Sequence, residues 1–362
     1  METRDEKFRF RINGRFQHDW AWMDQDEAMS ERFGKLEDKT EVRRARIELS
    51  GNLYRRVEVA FQLDFADGNA QARDVYIGVS GLPILGRLRA GHFKEPFSLE
   101  ELTSSKYITF MERSSGNVFV PSRNIGIAFN NTLFHERMTW SAGFFARSEG
   151  FDSLELDEGF AATARVTGLP WYKEDGKRLL HVGVGLSHRD TVSNQIRFRQ
   201  RPEAHLPPRL VDTGVFPAQA ENLIASELAL VNGPLYVQSE WTADMVSRPG
   251  SNPRFSSFYI EGGCFLTGEY RRYNRDDATF TRVRPTKNFF GGGGKGAWQI
   301  AVRFSIVDLN DRSVSGGRLD DLTIGLNWHL NPYAKILWNY IRTYRDEIGN
   351  ASIFQVRFHI DF

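Results

Sequence analysis

Ser352 to Phe362 reads SIFQVRFHIDF, with Phe354, Val356, Phe358, Ile360 and Phe362 on one parity and Gln355, Arg357, His359 and Asp361 on the other. Successive side chains of an extended chain point to opposite faces, so a period of two is a β-strand. One face of this strand is wholly apolar and the other is charged. Such a strand edges a soluble sandwich or closes a barrel in lipid, and the rest of the chain decides which.

The 362 residues are 26% charged and 41% hydrophobic, with a mean hydropathy of -0.44. No stretch approaches the roughly 18 apolar residues that a membrane-crossing helix needs. A transmembrane barrel stays open, because lipid-facing and lumen-facing residues alternate and average to a polar composition. The 13% aromatic content, with 28 Phe, 11 Tyr and 8 Trp, suits a barrel with aromatic girdles. Formal net charge is +1, so any affinity for anions has to come from local arrangement. One cysteine, Cys264, permits neither an internal disulfide nor a Cys-based metal site. The opening METRDEKFRF has no apolar segment of a secretory signal. Since an outer-membrane barrel has to be exported, the numbering is expected to begin on the mature chain with an added Met.

Working back from the last strand, the same alternation recurs at Ala334 to Ile341, Leu322 to Trp328, Trp298 to Ile306, Phe258 to Leu266, Leu235 to Thr242 and Ile224 to Val231. It recurs again at Leu180 to Leu186, Phe160 to Val166, Met138 to Ala146 and Ile125 to Leu133. Near the N-terminus five strands follow the rule, from Phe8 to Trp22, Val42 to Leu49, Val57 to Phe65, Ala72 to Val79 and Leu85 to His92. A two-residue turn at Gly51 and Asn52 is expected to join the second and third. The total is about sixteen, an even number as in single-chain outer-membrane barrels. Short connections alternate with long ones, with Gly168 to Arg178 and Gly268 to Gly296 as exceptions on the short side. Two long segments lack alternation: Phe93 to Arg123, with the string LEELTSSKYITFMERSSGN, and the proline-rich Arg189 to Ala220. A long loop of this kind in a compact protein usually signals function.

Parity puts Arg9, Arg11, Arg15, Arg44, Arg46, Arg56, Arg87 and Arg89 on the inner face of the first five strands. Arg43 would face outward, so it sits above the apolar band or at a bulge. Avoidance of lipid explains why charge turns inward, since a midplane Arg costs about 2–4 kcal/mol, but it does not explain the sign. A wall of guanidinium groups attracts oxyanions and grips phosphate at two points. Glu48, Glu58, Asp64 and Asp74 temper the same wall. The tract GGGGKG (Gly291 to Gly296) lacks the order of a phosphate-binding P-loop and reads as a flexible turn. The histidines show no ligand spacing, and GxSxG, HExxH and paired-Asp motifs are missing, so neither an enzyme, a cofactor nor a metal centre is expected.

The chain resembles the phosphate-selective porins O and P of Gram-negative outer membranes. The resemblance is carried by NGRFQHDW (Asn13 to Trp20), RRARIELSG (Arg43 to Gly51), LEELTSSKYITFMER (Leu99 to Arg113), FLTGEYRRY (Phe265 to Tyr273), GAWQIAVRFS (Gly296 to Ser305) and TIGLNWHLN (Thr323 to Asn331). It implies an all-β transmembrane antiparallel barrel of about 16 strands as one domain over residues 1–362. It also implies a homotrimer, with residues 93–123 inserted into the lumen as a constriction. By the same resemblance, Arg15, Arg43, Arg44, Ser104, Ser105, Lys106 and Arg113 line that constriction with Asp74 as the acidic member, and Arg11 is a basic residue lower in the pore. Small inorganic anions, phosphate or polyphosphate, are the expected solutes; outer-membrane lipid and lipopolysaccharide are the surroundings, and nucleic acid is not a partner. Glu58 and Glu101 stand where phosphate-selective members carry lysines, which admits a weakly or differently selective pore. A structural or adhesive barrel plugged by its loops and an outer-membrane hydrolase are the other readings.

Overall fold

The computed structural model describes residues 3, 7–66, 68–146, 159–290 and 293–362. Among them, sixteen strands form one closed antiparallel barrel in sequence order. They are β1 (Phe8–Gln25), β2 (Lys39–Leu53), β3 (Val57–Asp64), β4 (Gln71–Leu82), β5 (Gly86–Lys94), β6 (Arg123–Leu133), β7 (Met138–Ala146) and β8 (Phe160–Lys173). The second half comprises β9 (Arg178–Asp190), β10 (Ala220–Asn232), β11 (Leu235–Ser247), β12 (Arg254–Phe265), β13 (Ala297–Asp311), β14 (Val314–His329), β15 (Ala334–Arg345) and β16 (Gly349–Asp361). The ring closes where β16 pairs with β1, with Trp20 opposite Val356 and Arg15 opposite Asp361. Closure leaves no sheet edge for other chains to pair with.

The alternation is inside out relative to a soluble protein. On β16 Phe358 is 48% exposed and Ile360 52%, while Arg357, between Val356 and Phe358, is 1% exposed. In water that arrangement would strand apolar surface and bury charge. In a bilayer it satisfies both, because hydrocarbon covers the outer face and the polar interior solvates the inner one. Trp298, Trp328 and Trp338 stack in a row across β13 to β15, with ring centroids 5.0 and 6.4 Å apart.

Two local expectations are corrected. Gly51 and Asn52 are not a turn: they pair with Phe10 and Arg9 inside the ladder, and the chain reverses at residues 54–56. There Tyr54 and Arg55 take φ of 49° and 62°, so pairing with β1 and β3 outweighs their lack of glycine freedom. The long connection expected at Gly168 to Arg178 dissolves, because β8 continues through a register shift between Gly168 and Trp171 as far as Lys173. The first loop holds a helix, α1 (Glu27–Phe33), whose N-cap Asp26 accepts from the Met29 amide at 2.9 Å. The Gly291 to Gly296 tract lies partly outside the described residues.

Among the described residues, three long segments, 26–38, 95–122 and 191–219, leave one end of the barrel, and apart from 266–296 the connections at the other end are short. The main apolar cluster lies inside the mouth rather than between sheets. It joins Met29 and Leu36 of the first loop, Phe97 and Phe119 of residues 95–122, and Phe198, Leu210 and Phe216 of residues 191–219 to wall residues such as Phe255. A second cluster packs Phe280 of residues 266–296 against Leu99, Tyr236 and Phe265. Long segments from both ends thus fold back against the wall.

Candidate functional site

The site begins with a break in the alternation of β2. Gln17 pairs with Arg44 and His18 with Val42, which leaves Arg43 as the extra residue of a bulge. A bulge re-aims one side chain. Arg43 and Arg44 therefore both turn inward and meet Glu112. A second irregularity, between β3 and β4, sets Phe61 opposite Val75 and Leu63 opposite Ala72, so Arg73 and Asp74 share one partner position. Arg73 then reaches Asp64 at 3.5 Å while Asp74 takes both arms of Arg123, at 3.1 and 2.7 Å. Arg46 holds Asp64 at 2.7 Å.

Residues 95–122 lie against this wall and the one opposite. Arg15 donates to Ser105 Oγ, and Lys106 stands 3.9 Å from Asp361. Burial moves the Lys106 ammonium below its usual range, and the charge of Arg15 adds to the shift. The short helix α2 (Leu99–Leu102) is capped internally by Ser98, and its first amides, Leu99 and Glu100, donate to the Glu240 carboxylate of β11 at 3.0 and 2.7 Å. A carboxylate at a helix N-terminus satisfies amides that have no partner within the helix. Farther along, Thr109 donates to Glu261 at 2.9 Å and Arg303 of β13 holds Glu100 at 3.0 Å.

Between the segment and strands β1 to β6 lies a water-accessible cavity of ≈ 700 Å³. Eleven basic side chains line it against four carboxylates, Glu48, Asp74, Glu101 and Asp277. Arg15 and Arg89 each keep a buried Nε–H that has no acceptor among the described residues. Of the residues singled out from sequence, Arg15, Arg43, Arg44, Asp74, Ser104, Ser105, Lys106 and Arg113 all line this cavity. Arg11 does not: it is exposed and pairs with Ser50 toward the short-turn end. Arg9 and Arg56 are likewise exposed, whereas Arg87 turns to Asp277 at 2.6 Å.

Sequence reasoning missed Arg73, Lys94, Arg123 and Arg165 among the lining residues. Arg123 and Lys94 were hidden because both fell inside the span assigned to the loop, and Arg73 because a bulge reverses parity. Glu101 borders the cavity but is held by cations. It is 2% exposed, with Lys94 Nζ at 3.1 Å, Arg113 Nε at 3.0 Å and the Ser122 hydroxyl at 3.1 Å. Burial pushes its carboxyl up, but Arg113 and Lys94 outweigh this and hold it down to about 2. Glu58 lies 3.7 Å from Arg87.

A closed sixteen-stranded barrel with an apolar exterior, a charged interior and a water-accessible basic cavity is that of an outer-membrane porin, a channel rather than an enzyme. Solved porins share the fold: an anion-selective porin from Comamonas acidovorans at TM-score 0.60 and 12% identity, covering 98% of this chain and 100% of that one. A loop-deletion form of OmpT, an outer membrane protein of Vibrio cholerae, aligns equally well at TM-score 0.60 and 10% identity, covering 98% and 99%. By sequence the chain is 25% identical to Porin O of Pseudomonas aeruginosa, over 97% of this chain and 86% of that protein. It is 30% identical to an uncharacterized protein of Caulobacter vibrioides, over 98% of this chain and 74% of that one. Residues 10–362 match the family description "Phosphate-selective porin O and P". The chain belongs to that family and resides in the outer membrane of a Gram-negative bacterium.

Proposed function

We propose that the protein is a homotrimeric pore for passive diffusion of small oxyanions, phosphate or polyphosphate first among them, and that residues 95–122 form its constriction. The observation that carries this reading is the cavity lining, eleven cations to four carboxylates. An entering anion exchanges part of its hydration for guanidinium N–H groups, then for Ser104, Ser105 and Lys106, and leaves toward the short-turn end. Several sites of moderate strength in series pass ions faster than one tight site. Glu101 does not oppose this, because Lys94 at the end of β5 and Arg113 of the inner segment neutralise it.

Strand length supports the trimer. β3 has 8 residues and β5 and β7 have 9. Eight residues rise about 26 Å along the strand and, tilted by about 40°, roughly 20 Å across the membrane, short of the roughly 25 Å apolar band. A wall this low, with Val57, Val59 and Phe61 outward, suits packing against further copies of the chain better than contact with lipid.

A weakly selective pore is the second reading, favoured by the pairing of Arg43 and Arg44 with Glu112 and of Arg123 with Asp74. Reversal potential in planar bilayers under a chloride gradient, followed by phosphate titration of the current, separates the two. Anion selectivity with saturable block by phosphate is expected. Cation selectivity would sink the anion reading, and absence of block would leave the weakly selective one.

A further inference from the structure

Arg43 and Arg44 line the cavity, yet both already hold an oxyanion. Glu112 receives Arg43 as a fork, Nε to Oε1 at 2.9 Å and Nη2 to Oε2 at 3.0 Å. Arg44 approaches the same two oxygens with Nη1 and Nη2, each at 3.4 Å. From β16, Arg357 adds Nη2 at 2.6 Å from Oε1 while gripping Asp19 at 2.7 and 2.6 Å. Three guanidinium groups thus converge on one carboxylate of the 95–122 segment. Their charges overcome the effect of burial and hold Glu112 well below the usual carboxylate range, so it is ionised at any working pH.

The two-point fork is also how arginine grips a free phosphate or carboxylate. We propose that Glu112 is a tethered competitor for the Arg43–Arg44 pair, a built-in anion that sets how weakly, and therefore how quickly, a passing oxyanion is held there. The inference rests on the anion-pore reading and adds what determines its affinity. A group on a short tether competes at millimolar or higher effective concentration, so it raises the solute concentration needed to occupy the pair. Its side chain is 15% exposed, and the Arg43 side chain, which borders the cavity, is 20% exposed. A solute that accepts two parallel N–H bonds, as phosphate does, can displace the tethered carboxylate from one arginine at a time. Chloride, a single-point acceptor, competes less well. The same cluster carries three positive charges and two negative ones, Asp19 and Glu112, so removal of Glu112 raises its net charge by one.

The test is chloride current through the full-length protein in planar bilayers, titrated with inorganic phosphate, for wild type, Glu112→Gln and Glu112→Asp. A wild-type pore that is anion-selective with weak block, a Gln variant blocked at about tenfold lower phosphate and an Asp variant at about threefold lower, is the expected series. Half-blocking concentrations equal in all three proteins would overturn the proposal and leave Glu112 as a strut for the loop. So would weaker block with noisier current in Glu112→Gln. If that variant fails to insert, Glu112→Asp decides alone, since it keeps the charge but draws it back from the fork; unchanged block then overturns the idea. A cation-selective wild type is a different result, because it removes the anion-pore reading whatever the variants do.

Discussion

Arg15 and Arg303 occupy equivalent places in the strand code, inward positions flanked by outward apolar residues, yet their surroundings are opposites. Arg15 borders the cavity with Ser105 as its hydrogen-bond partner, and Arg46, Arg73 and Arg123 crowd the same wall. Arg303, 1% exposed, is covered by the long segments and surrounded by Glu100 at 3.0 Å, Glu203 at 2.7 Å and Glu261 at 3.8 Å. Glu203 comes from residues 191–219, which fold back into the mouth and also engage Ser305. The barrel therefore has an open wall along β1 to β6 and a cemented wall along β10 to β14. Where water reaches, cations can outnumber anions. Where loops exclude water, a lone charge costs several kcal/mol, so charges come in opposed sets.

The contrast breaks first at Arg303. Arg303→Met would leave Glu100 and Glu203 without their cation, while Glu261 keeps Arg271 at 3.1 Å, and unfolding in detergent, followed by gel mobility against denaturant, should show a loss of about 3–5 kcal/mol. Next comes Glu240→Gln, which weakens the acceptor of the Leu99 and Glu100 amides. About 2 kcal/mol of stability should go, with noisier open-channel current as the inner segment loosens. On the open wall, Arg15→Met should barely move unfolding but lower the anion-to-cation permeability ratio about threefold, well under 1 kcal/mol. An equal loss of stability at Arg15 and Arg303 would erase the distinction between the walls.

Smallest of all should be the response to acid. A carboxylate whose folded pKa lies below its unfolded value contributes stability above the unfolded value and loses it as pH falls through the folded one. For Glu101 that window runs from its ordinary 4.5 down to about 2. Burial pushes Glu100 of the same helix up to about 7, so a change in current between pH 8 and pH 5 belongs to that residue, and the Glu101 contribution is expected to decline only as pH approaches 2. A collapse of the current just below pH 5 would mean that the Lys94–Glu101–Arg113 cluster does not hold the segment.

The barrel was legible from sequence because alternation is local: SIFQVRFHIDF states its own faces, and each of the other strands repeats the statement. Bulges were only half legible. Arg43 announced one, since an outward arginine at mid-membrane is too costly, whereas Arg73 was passed over beside Asp74. The cemented wall was not legible, because its pairs join residues far apart, Arg303 with Glu100 and Glu203, and nothing local marks which inward charges a loop will cover. Residues 266–296 stood out by length alone. Their inward fold depends on Arg282 meeting Asp361 and on Asp277 meeting Arg87. The lining residues expected from resemblance came as short motifs, and Arg11 departs because it sits near the exposed end of β1.

Arg357 belongs to the strand made last, yet its guanidinium is shared between Asp19 on the first strand and Glu112 and the Met111 carbonyl of the inner segment. Sealing the cylinder and seating the segment are therefore one event in folding. Until β16 docks, Asp19 and Glu112 lack that shared partner, and a barrel sealed over an unseated segment would bury a cation without its full set of acceptors, at a cost of several kcal/mol. Contacts spanning 338 and 245 positions form late and slowly, because the chain between them must first be gathered. The final strand thus couples closure of the cylinder to the seating of its interior.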